Sequence, residues 1–151
     1  MEVTRHFTAT TMIVHENRVL LHMHKKLDRW LPVGGHIDRD ELPLEAARRE
    51  VLEEAGLEVE FYSSEPNLAA FPDVQELVKP ARLLLEDINP FHQHIDFVFY
   101  AFSKSADIPP TAEAVETLRW FSLDELESVE KMPADVVFLA KEAVTLISAG
   151  L

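Results

Sequence analysis

The chain has 151 residues, 47% of them hydrophobic, and it contains no cysteine. We expect a single domain spanning residues 1–151, long enough to bury a core, without disulfides or thiol chemistry and with a cytoplasmic location. The net charge of −13 predicts repulsion of duplex nucleic acid, and the longest apolar run, residues 97–102, is too short to span a membrane.

The first elements are predicted to be two strands joined by a tight turn. Residues 6–15 alternate and are rich in Thr, Val and Ile, which favours a strand. Glu16 and Asn17 fit a turn into a second strand at residues 18–24. A loop is then expected to lead to two adjacent glycines, Gly34 and Gly35.

A helix is predicted after these glycines, because apolar residues recur three and four positions apart between residues 44 and 55. Pro43 suits the first helical position, and Gly56 suits the left-handed residue that commonly ends a helix. Leu42 occupies the N-cap, where leucine is unfavourable. We therefore expect the start of this helix to be stabilised by other means.

The rest of the chain alternates between predicted strands and helices. Strands are predicted at residues 57–62, 82–87, 95–103 and 117–122, a helical turn at 123–126, and a terminal helix that Pro133 opens. Residues 64–80 are expected to form a long loop over a pocket, where they would shape specificity.

The predicted helix carries three glutamates, Glu50, Glu53 and Glu54, on one face beside its apolar stripe. Like charges at these spacings cost a helix about 0.2–0.5 kcal/mol per pair. Converging carboxylates suit a hard divalent cation such as Mg²⁺. The alternative is a solvated acidic face, which the triplet alone favours. The glycines and Arg49 at their positions favour the metal site.

Residues 35–57, GHIDRDELPLEAARREVLEEAGL, contain these features at fixed spacing. Glu41 follows Gly35 after five residues, and Arg49 follows after seven more. This pattern resembles the complete Nudix box of MutT-type hydrolases, and residues 30–35 are similar to the segment that precedes it in that family. Asp40 departs from the glycine that many members carry. The resemblance implies an α/β/α sandwich with a mixed sheet.

The resemblance also implies roles for box residues. It assigns metal binding to the Gly34 carbonyl and to three carboxylates, Glu50, Glu53 and Glu54. Glu50 could serve as general base instead, although a base outside the box stays open. Arg49 would orient a catalytic carboxylate, by pairing with Glu53 or with Glu45, and Glu41 would support the site. The implied cofactor is Mg²⁺, with Mn²⁺ as a substitute, and the implied nucleophile is a metal-activated water.

Several residues outside the box are candidates for substrate binding. His92, His94 and Asp96 alternate at the start of a predicted strand, so their side chains share one face. They would contact phosphates or act as acid or base; alternatively they are polar residues at a strand entrance. Glu113 and Glu116 match a region where some family members carry an extra catalytic Glu, but a solvated loop is the favoured interpretation.

A phosphate substrate must also meet positive charge, because residues 38–60 hold nine acids against three arginines. The candidate cations are Lys25, Lys26, Arg29, Lys79 and Arg82. The ordinary interpretation of each is a solvated surface charge.

The resemblance implies Mg²⁺-dependent hydrolysis of a diphosphate bond in a nucleoside diphosphate linked to another group. The substrate could be a nucleoside triphosphate, a nucleotide sugar or a dinucleotide. The alternative is a Nudix module that binds a nucleotide without hydrolysing it. A third activity of this fold, isomerisation of a prenyl diphosphate, is disfavoured because the enzymes that catalyse it use a catalytic cysteine, and this chain has none. The expected partner is a small-molecule nucleotide, and a homodimer would be consistent with the family.

Overall fold

The computed structural model describes residues 2–150, which contain ten strands and three helices. The strands are β1 (Thr4–His15), β2 (Arg18–His24), β3 (Arg29–Leu31), β4 (Val33–His36), β5 (Glu60–Phe61), β6 (Ala70–Phe71), β7 (Val74–Gln75), β8 (Arg82–Asn89), β9 (His92–Phe102) and β10 (Leu118–Ser122). The helices are α1 (Pro43–Ala55), α2 (Leu123–Leu126) and α3 (Ala134–Gly150). No helix in this part of the chain is long and apolar enough to cross a membrane.

Eight of these strands form one mixed sheet. Its central order is β10-β2-β1-β9-β5, with β3 beside β2, β4 beside β1 and β8 beside β9. β1 and β9 run parallel, whereas the other described pairs are antiparallel. β6 and β7 form a separate hairpin within the predicted loop over residues 64–80.

The alternation of side chains along β1 gives the sheet two covered faces. On one face, Ala9 and Phe99 pack with Ala46 and Ala47 of α1. On the other face, the core joins β1, β2, β9 and β10 to α2 and α3, through Met12, Val14, Leu21, Val98, Tyr100, Phe121, Leu126, Val136, Leu139 and Ala140. Helices therefore cover both faces of a mixed sheet, which confirms the predicted α/β/α sandwich.

Helix α1 begins and ends where the sequence predicted. Pro43 is its first residue, and Gly56 follows it with a φ of 65°, donating its N–H to Leu52 O at 2.9 Å. The side chain of Leu42 makes no cap hydrogen bond, but its backbone N–H donates to Glu45 Oε1 at 2.8 Å. A carboxylate inside the helix thus stabilises the start of α1 in place of an N-cap side chain.

The region before α1 differs from the predicted loop, because β3 and β4 lie within it. Gly34 and Gly35 belong to β4 and pair with Thr10 and Ala9 of β1. Glycine has a low strand propensity, so the strand depends on pairing with a distant partner. Pairing with other strands also extends β9, which begins at His92, three residues before the predicted start. Its first residues pair with β1 and β8.

Candidate active site

Arg49 is the centre of a hydrogen-bond network at the end of β4. Its Nε and Nη2 donate to both carboxylate oxygens of Glu41, at 2.7 and 2.9 Å. Its Nη1 donates to Glu50 Oε1 at 2.9 Å and to Glu53 Oε2 at 3.3 Å, and its Nη2 also donates to His36 O at 3.1 Å. One guanidinium therefore orients three box carboxylates, as its planar fork of donors allows.

Glu41 is held ionised in this network. Two hydrogen bonds lower the pKa of Glu41 to about 2. The larger effect comes from Arg49, and the smaller one from the Asp38 N–H, which donates to Glu41 Oε1 at 3.0 Å. Such a group is a poor proton carrier near neutral pH. Its geometry fits the supporting role that the resemblance implies.

Glu50 and Glu54 are in the opposite electrostatic situation. Burial, together with the charge of Glu50, raises the pKa of Glu54 to about 7, although Glu54 Oε2 accepts a hydrogen bond from the Gly34 N–H at 3.0 Å. Burial also raises the pKa of Glu50. Neighbouring carboxylates that resist ionisation in this way provide a site where a cation would relieve their repulsion.

The two glycines of β4 make room for these carboxylates. A Cβ added at Gly35 would lie 2.4 Å from Glu50 Oε1, and one at Gly34 would lie 2.6 Å from Ala9 O. Gly35 therefore allows the Glu50 carboxylate to lie against the strand, while Gly34 allows β4 to approach β1. The clustered carboxylates offer the oxygen donors that a hard cation prefers.

A cleft of about 640 Å³ opens beside this acidic edge, on the sheet face that α3 covers only in part. Its volume lies within the range of small-molecule sites. Arg29 is the one Arg or Lys among its described lining residues, against five acids: Glu54, Glu86, Asp87, Asp96 and Asp135. An anionic ligand in this cleft would need additional positive charge.

The family model for the NUDIX domain matches residues 4–141. The chain belongs to the Nudix family of hydrolases. A crystal structure of a NUDIX-family hydrolase from Clostridium perfringens is 36% identical, with a TM-score of 0.82, covering 96% of this chain and 99% of that one.

More distant Nudix structures share the fold. An ADP-ribose pyrophosphatase from Streptococcus suis is 25% identical with a TM-score of 0.59, covering 93% of this chain and 92% of its own. A MutT protein from Methanosarcina mazei is 20% identical with a TM-score of 0.69, covering 95% of each chain.

The predicted substrate-binding residues of this Nudix protein come together on one side of the cleft. His94 and Asp96 line it, whereas His92 contacts the His94 ring, with centroids 4.9 Å apart. Asp96 is buried, and its Oδ1 accepts hydrogen bonds from the hydroxyls of Thr8 and Thr10 at 2.9 and 2.8 Å. The predicted alternation is thus present at the start of β9.

Sequence reasoning missed Glu86, which faces the same cleft from β8. Burial, then the charge of Asp96 and a hydrogen bond shared with it, raises the pKa of Glu86 to about 8. The two carboxyls therefore share a proton near neutral pH. Glu86 pairs with His94 across β8 and β9. The only signal for Glu86 in the sequence was its place in the alternating pattern of a predicted strand.

Among the five candidate cations, the structure places Arg29 in the cleft. Its Nε is buried and has no hydrogen-bond partner within residues 2–150, so a donor there is left for a ligand. The others lie away from these lining residues: Lys25 and Lys26 are exposed, and Lys79 and Arg82 form ion pairs.

The backbone of the loop before β10 is hydrogen-bonded to the end of α1. The N–H groups of Glu113 and Ala114 donate to the carbonyls of Glu53 and Glu54, both at 3.0 Å. The Glu113 carboxylate contributes to the raised pKa values of Glu50 and Glu54. Both Glu113 and Glu116 are exposed, but the charge of Glu113 reaches the site.

Proposed function

We propose that this Nudix hydrolase cuts the diphosphate bond of a nucleoside diphosphate linked to another group, in a reaction that depends on Mg²⁺. The observation that carries the proposal is the network in which Arg49 orients Glu41, Glu50 and Glu53 beside an acidic cleft. A binding module without activity has no need of carboxylates held in this way.

The residues proposed to hold the metal are Glu50, Glu53, Glu54 and the carbonyl of Gly34. When bound there, Mg²⁺ (or Mn²⁺ in its place) would offset the negative charge of the diphosphate and lower the pKa of a water. Glu50 is the proposed metal ligand or proton acceptor, and Arg49 keeps its carboxylate aimed at the site. Glu41 holds Arg49 from the other side.

The substrate is proposed to lie in the cleft between β8, β9 and the start of α3. His94 and Asp96 would contact it directly, and His92 would act through His94. Arg29 is a further candidate, because it brings positive charge and an unpaired donor into a cleft lined by five acids. This arrangement would select an anionic ligand that arrives with its metal.

The proposed substrate class covers nucleoside triphosphates, nucleotide sugars and dinucleotides. The Streptococcus suis relative is named as an ADP-ribose pyrophosphatase, and ADP-ribose contains a diphosphate between two sugars. A cleft of about 640 Å³ has room for part or all of such a molecule. The homodimer suggested by the family is a separate prediction, which light scattering on the purified protein would test.

The experiment that tests this function measures release of phosphate or mononucleotide from a panel of these substrate classes. The reactions contain Mg²⁺, Mn²⁺ or EDTA, and Glu53→Gln serves as the control. We expect cleavage of one class with either metal and none with EDTA or the variant. If no substrate is cleaved but a nucleotide binds by calorimetry, the protein is a non-catalytic nucleotide-binding module instead.

The cleft residues can be tested on the substrate that the panel identifies. We expect Arg29→Ala to raise KM by about tenfold, since it removes one charged contact, and His94→Ala to raise KM or lower kcat. Lys26→Ala, an exposed cation outside the cleft, is the matched control. Unchanged kinetics in either cleft variant would remove that residue from the substrate site.

A further inference from the structure

Four histidines from three strands converge at one end of the sheet. His6 of β1 is the register partner of His94 of β9, and His92 lies two residues earlier on the same strand. His36 of β4 is paired with Thr8, two residues after His6 on β1. Because residues two apart in a strand point to the same side, all four rings face the side of the sheet that carries the cleft.

The rings form a closed square. Neighbouring centroids lie 4.6 Å apart for His6 and His92, 4.9 Å for His92 and His94, 5.3 Å for His94 and His36, and 5.2 Å for His36 and His6. Each ring offers one nitrogen such that all four nitrogens lie within 4.8 Å of one another.

These nitrogens are also available for a ligand. Two other histidines use theirs within the protein: His15 Nδ1 lies 2.7 Å from Ser103 O, and His24 Nδ1 accepts from the Leu27 N–H at 3.1 Å. Within residues 2–150, no ring nitrogen of the four clustered histidines has such a partner. Their lone pairs therefore remain free to coordinate an ion.

We propose that His6, His36, His92 and His94 bind one divalent transition-metal ion, with Zn²⁺ as the representative ion. Imidazole nitrogen suits Zn²⁺, Co²⁺, Ni²⁺ and Cu²⁺, whereas Mg²⁺ prefers oxygen. Tetrahedral zinc, with bonds of about 2.0–2.1 Å, sets its nitrogens about 3.3 Å apart. The cluster reaches that spacing by small ring movements, because His6 and His36 are exposed at the rim.

This site differs from the Nudix box in ligands and in role. Each imidazole uses one nitrogen for the ion, so His94 keeps its second nitrogen for the substrate contact proposed above. Four protein nitrogens fill the coordination of a tetrahedral ion and leave no position open for chemistry, which is typical of structural zinc. The ion would join β1, β4 and β9, and β4 carries Gly34 and Gly35. It would therefore fasten the strand beneath the box carboxylates to the centre of the sheet.

The test titrates the full chain, with any purification tag removed, with Co²⁺ and with Zn²⁺ in the presence of excess Mg²⁺. We expect one Co²⁺ per chain with the intense visible absorption of tetrahedral nitrogen ligation, a Zn²⁺ Kd of roughly 1 µM or lower, and a higher Tm with Zn²⁺. The double variant His6→Gln/His92→Gln should lose at least roughly 100-fold in affinity, together with both signals.

Two controls separate this site from other histidines and from the box. His22→Gln/His24→Gln removes a second pair of neighbouring rings, 5.7 Å apart and outside the cluster, and should bind Co²⁺ as the unsubstituted protein does. Glu53→Gln should also keep the Co²⁺ spectrum, so this test stands whether or not the protein hydrolyses nucleotides.

The proposal is overturned if the unsubstituted protein binds no Co²⁺ at 100-fold excess over chain, or if the His6→Gln/His92→Gln protein binds it equally well. It is also overturned if Glu53→Gln alone removes the binding. Should the double variant fail to fold, judged by circular dichroism without metal, the exposed single variant His6→Gln replaces it. That variant should lower the affinity and change the Co²⁺ spectrum, because one of four ligands is gone.

Discussion

Acidic side chains lie on two sides of the cleft, in the Nudix box and along β8 and β9, and the pKa values of Glu41 and Glu86 differ most. Glu41 of the box has a pKa of about 2, because Arg49 donates hydrogen bonds to both of its oxygens. Glu86 has a pKa of about 8, because it is partly buried beside Asp96. Near neutral pH the same type of side chain is therefore ionised at Glu41 and largely protonated at Glu86, and its surroundings decide which.

The comparison also indicates what each group can bind. The box carboxylates surround one guanidinium and still leave Glu50 and Glu54 with raised pKa values, so they gain from a further cation. Glu86 and Asp96 share a proton, and Asp96 is satisfied by Thr8 and Thr10. This second group can remain stable without a metal, as a polar wall of the cleft.

The largest expected effect tests the catalytic half of this comparison. Glu50→Gln and Glu53→Gln should each lower turnover by about two orders of magnitude or more, since each removes a proposed ligand or base. Glu45→Gln on the same helix is the matched control, because glutamine also suits that capping position. Near-normal turnover of Glu53→Gln in Mg²⁺ would remove the metal site from the box.

The two glycines of β4 separate site geometry from stability. Gly35→Ala places a methyl group against the flexible Glu50 carboxylate, so turnover should fall by roughly tenfold or more with little loss of stability. Gly34→Ala meets the backbone at Ala9 O and should lower the free energy of unfolding by about 1–3 kcal/mol. Enzyme kinetics and urea unfolding of both variants would show whether Gly35→Ala mainly lowers turnover and Gly34→Ala mainly lowers stability. Equal losses of stability in the two variants would contradict this prediction.

The pH dependence of stability distinguishes the two acidic groups. The pKa of Glu86 rises from 4.5 to about 8 on folding, so the stability linked to its proton is present below about pH 4.5 and is lost as the pH rises through 8. Glu86→Gln should therefore be more stable than the unsubstituted protein at pH 9, by about 1 kcal/mol after allowance for solvent exposure.

For Glu41 the sign is opposite: its stabilising contribution is present above pH 4.5 and is lost as the pH falls towards 2. Urea unfolding of Glu86→Gln at pH 5, 7 and 9, and of Glu41→Gln at pH 3, 4 and 5, would measure the two effects. Parallel stability curves for Glu86→Gln and the unsubstituted protein would show that Glu86 does not titrate as described.

The smallest expected effect concerns the start of α1. Leu42→Ser supplies the missing N-cap acceptor beside Glu45, and should raise the free energy of unfolding by about 0.5–1 kcal/mol relative to Leu42→Ala. Turnover should not change, because Arg49 and the packing of α1 position the carboxylates. Equal stability of the two variants would mean that the N–H groups of the first turn gain nothing from a serine acceptor.

The sequence by itself determined the helical part of the site. Glu50, Glu53 and Glu54 share a face of α1 because residues three and four apart are neighbours on any helix. Pro43 and Gly56 marked the ends of that helix for equally local reasons. The helical spacing also predicted the pairing of Arg49 with Glu53, which the structure contains. The alternative partner, Glu45, accepts a hydrogen bond from the Leu42 N–H instead.

Only the tertiary structure decided the other wall of the cleft. Thr8 meets Asp96 across 88 positions of sequence, Glu86 reaches Asp96 through the pairing of β8 with β9, and His6 reaches His94 through β1 and β9. Strand pairing depends on which distant segments align and in which register, and a one-residue slip would turn every side chain to the opposite face. Local spacing predicts helical neighbours, whereas contacts between strands follow from the whole fold.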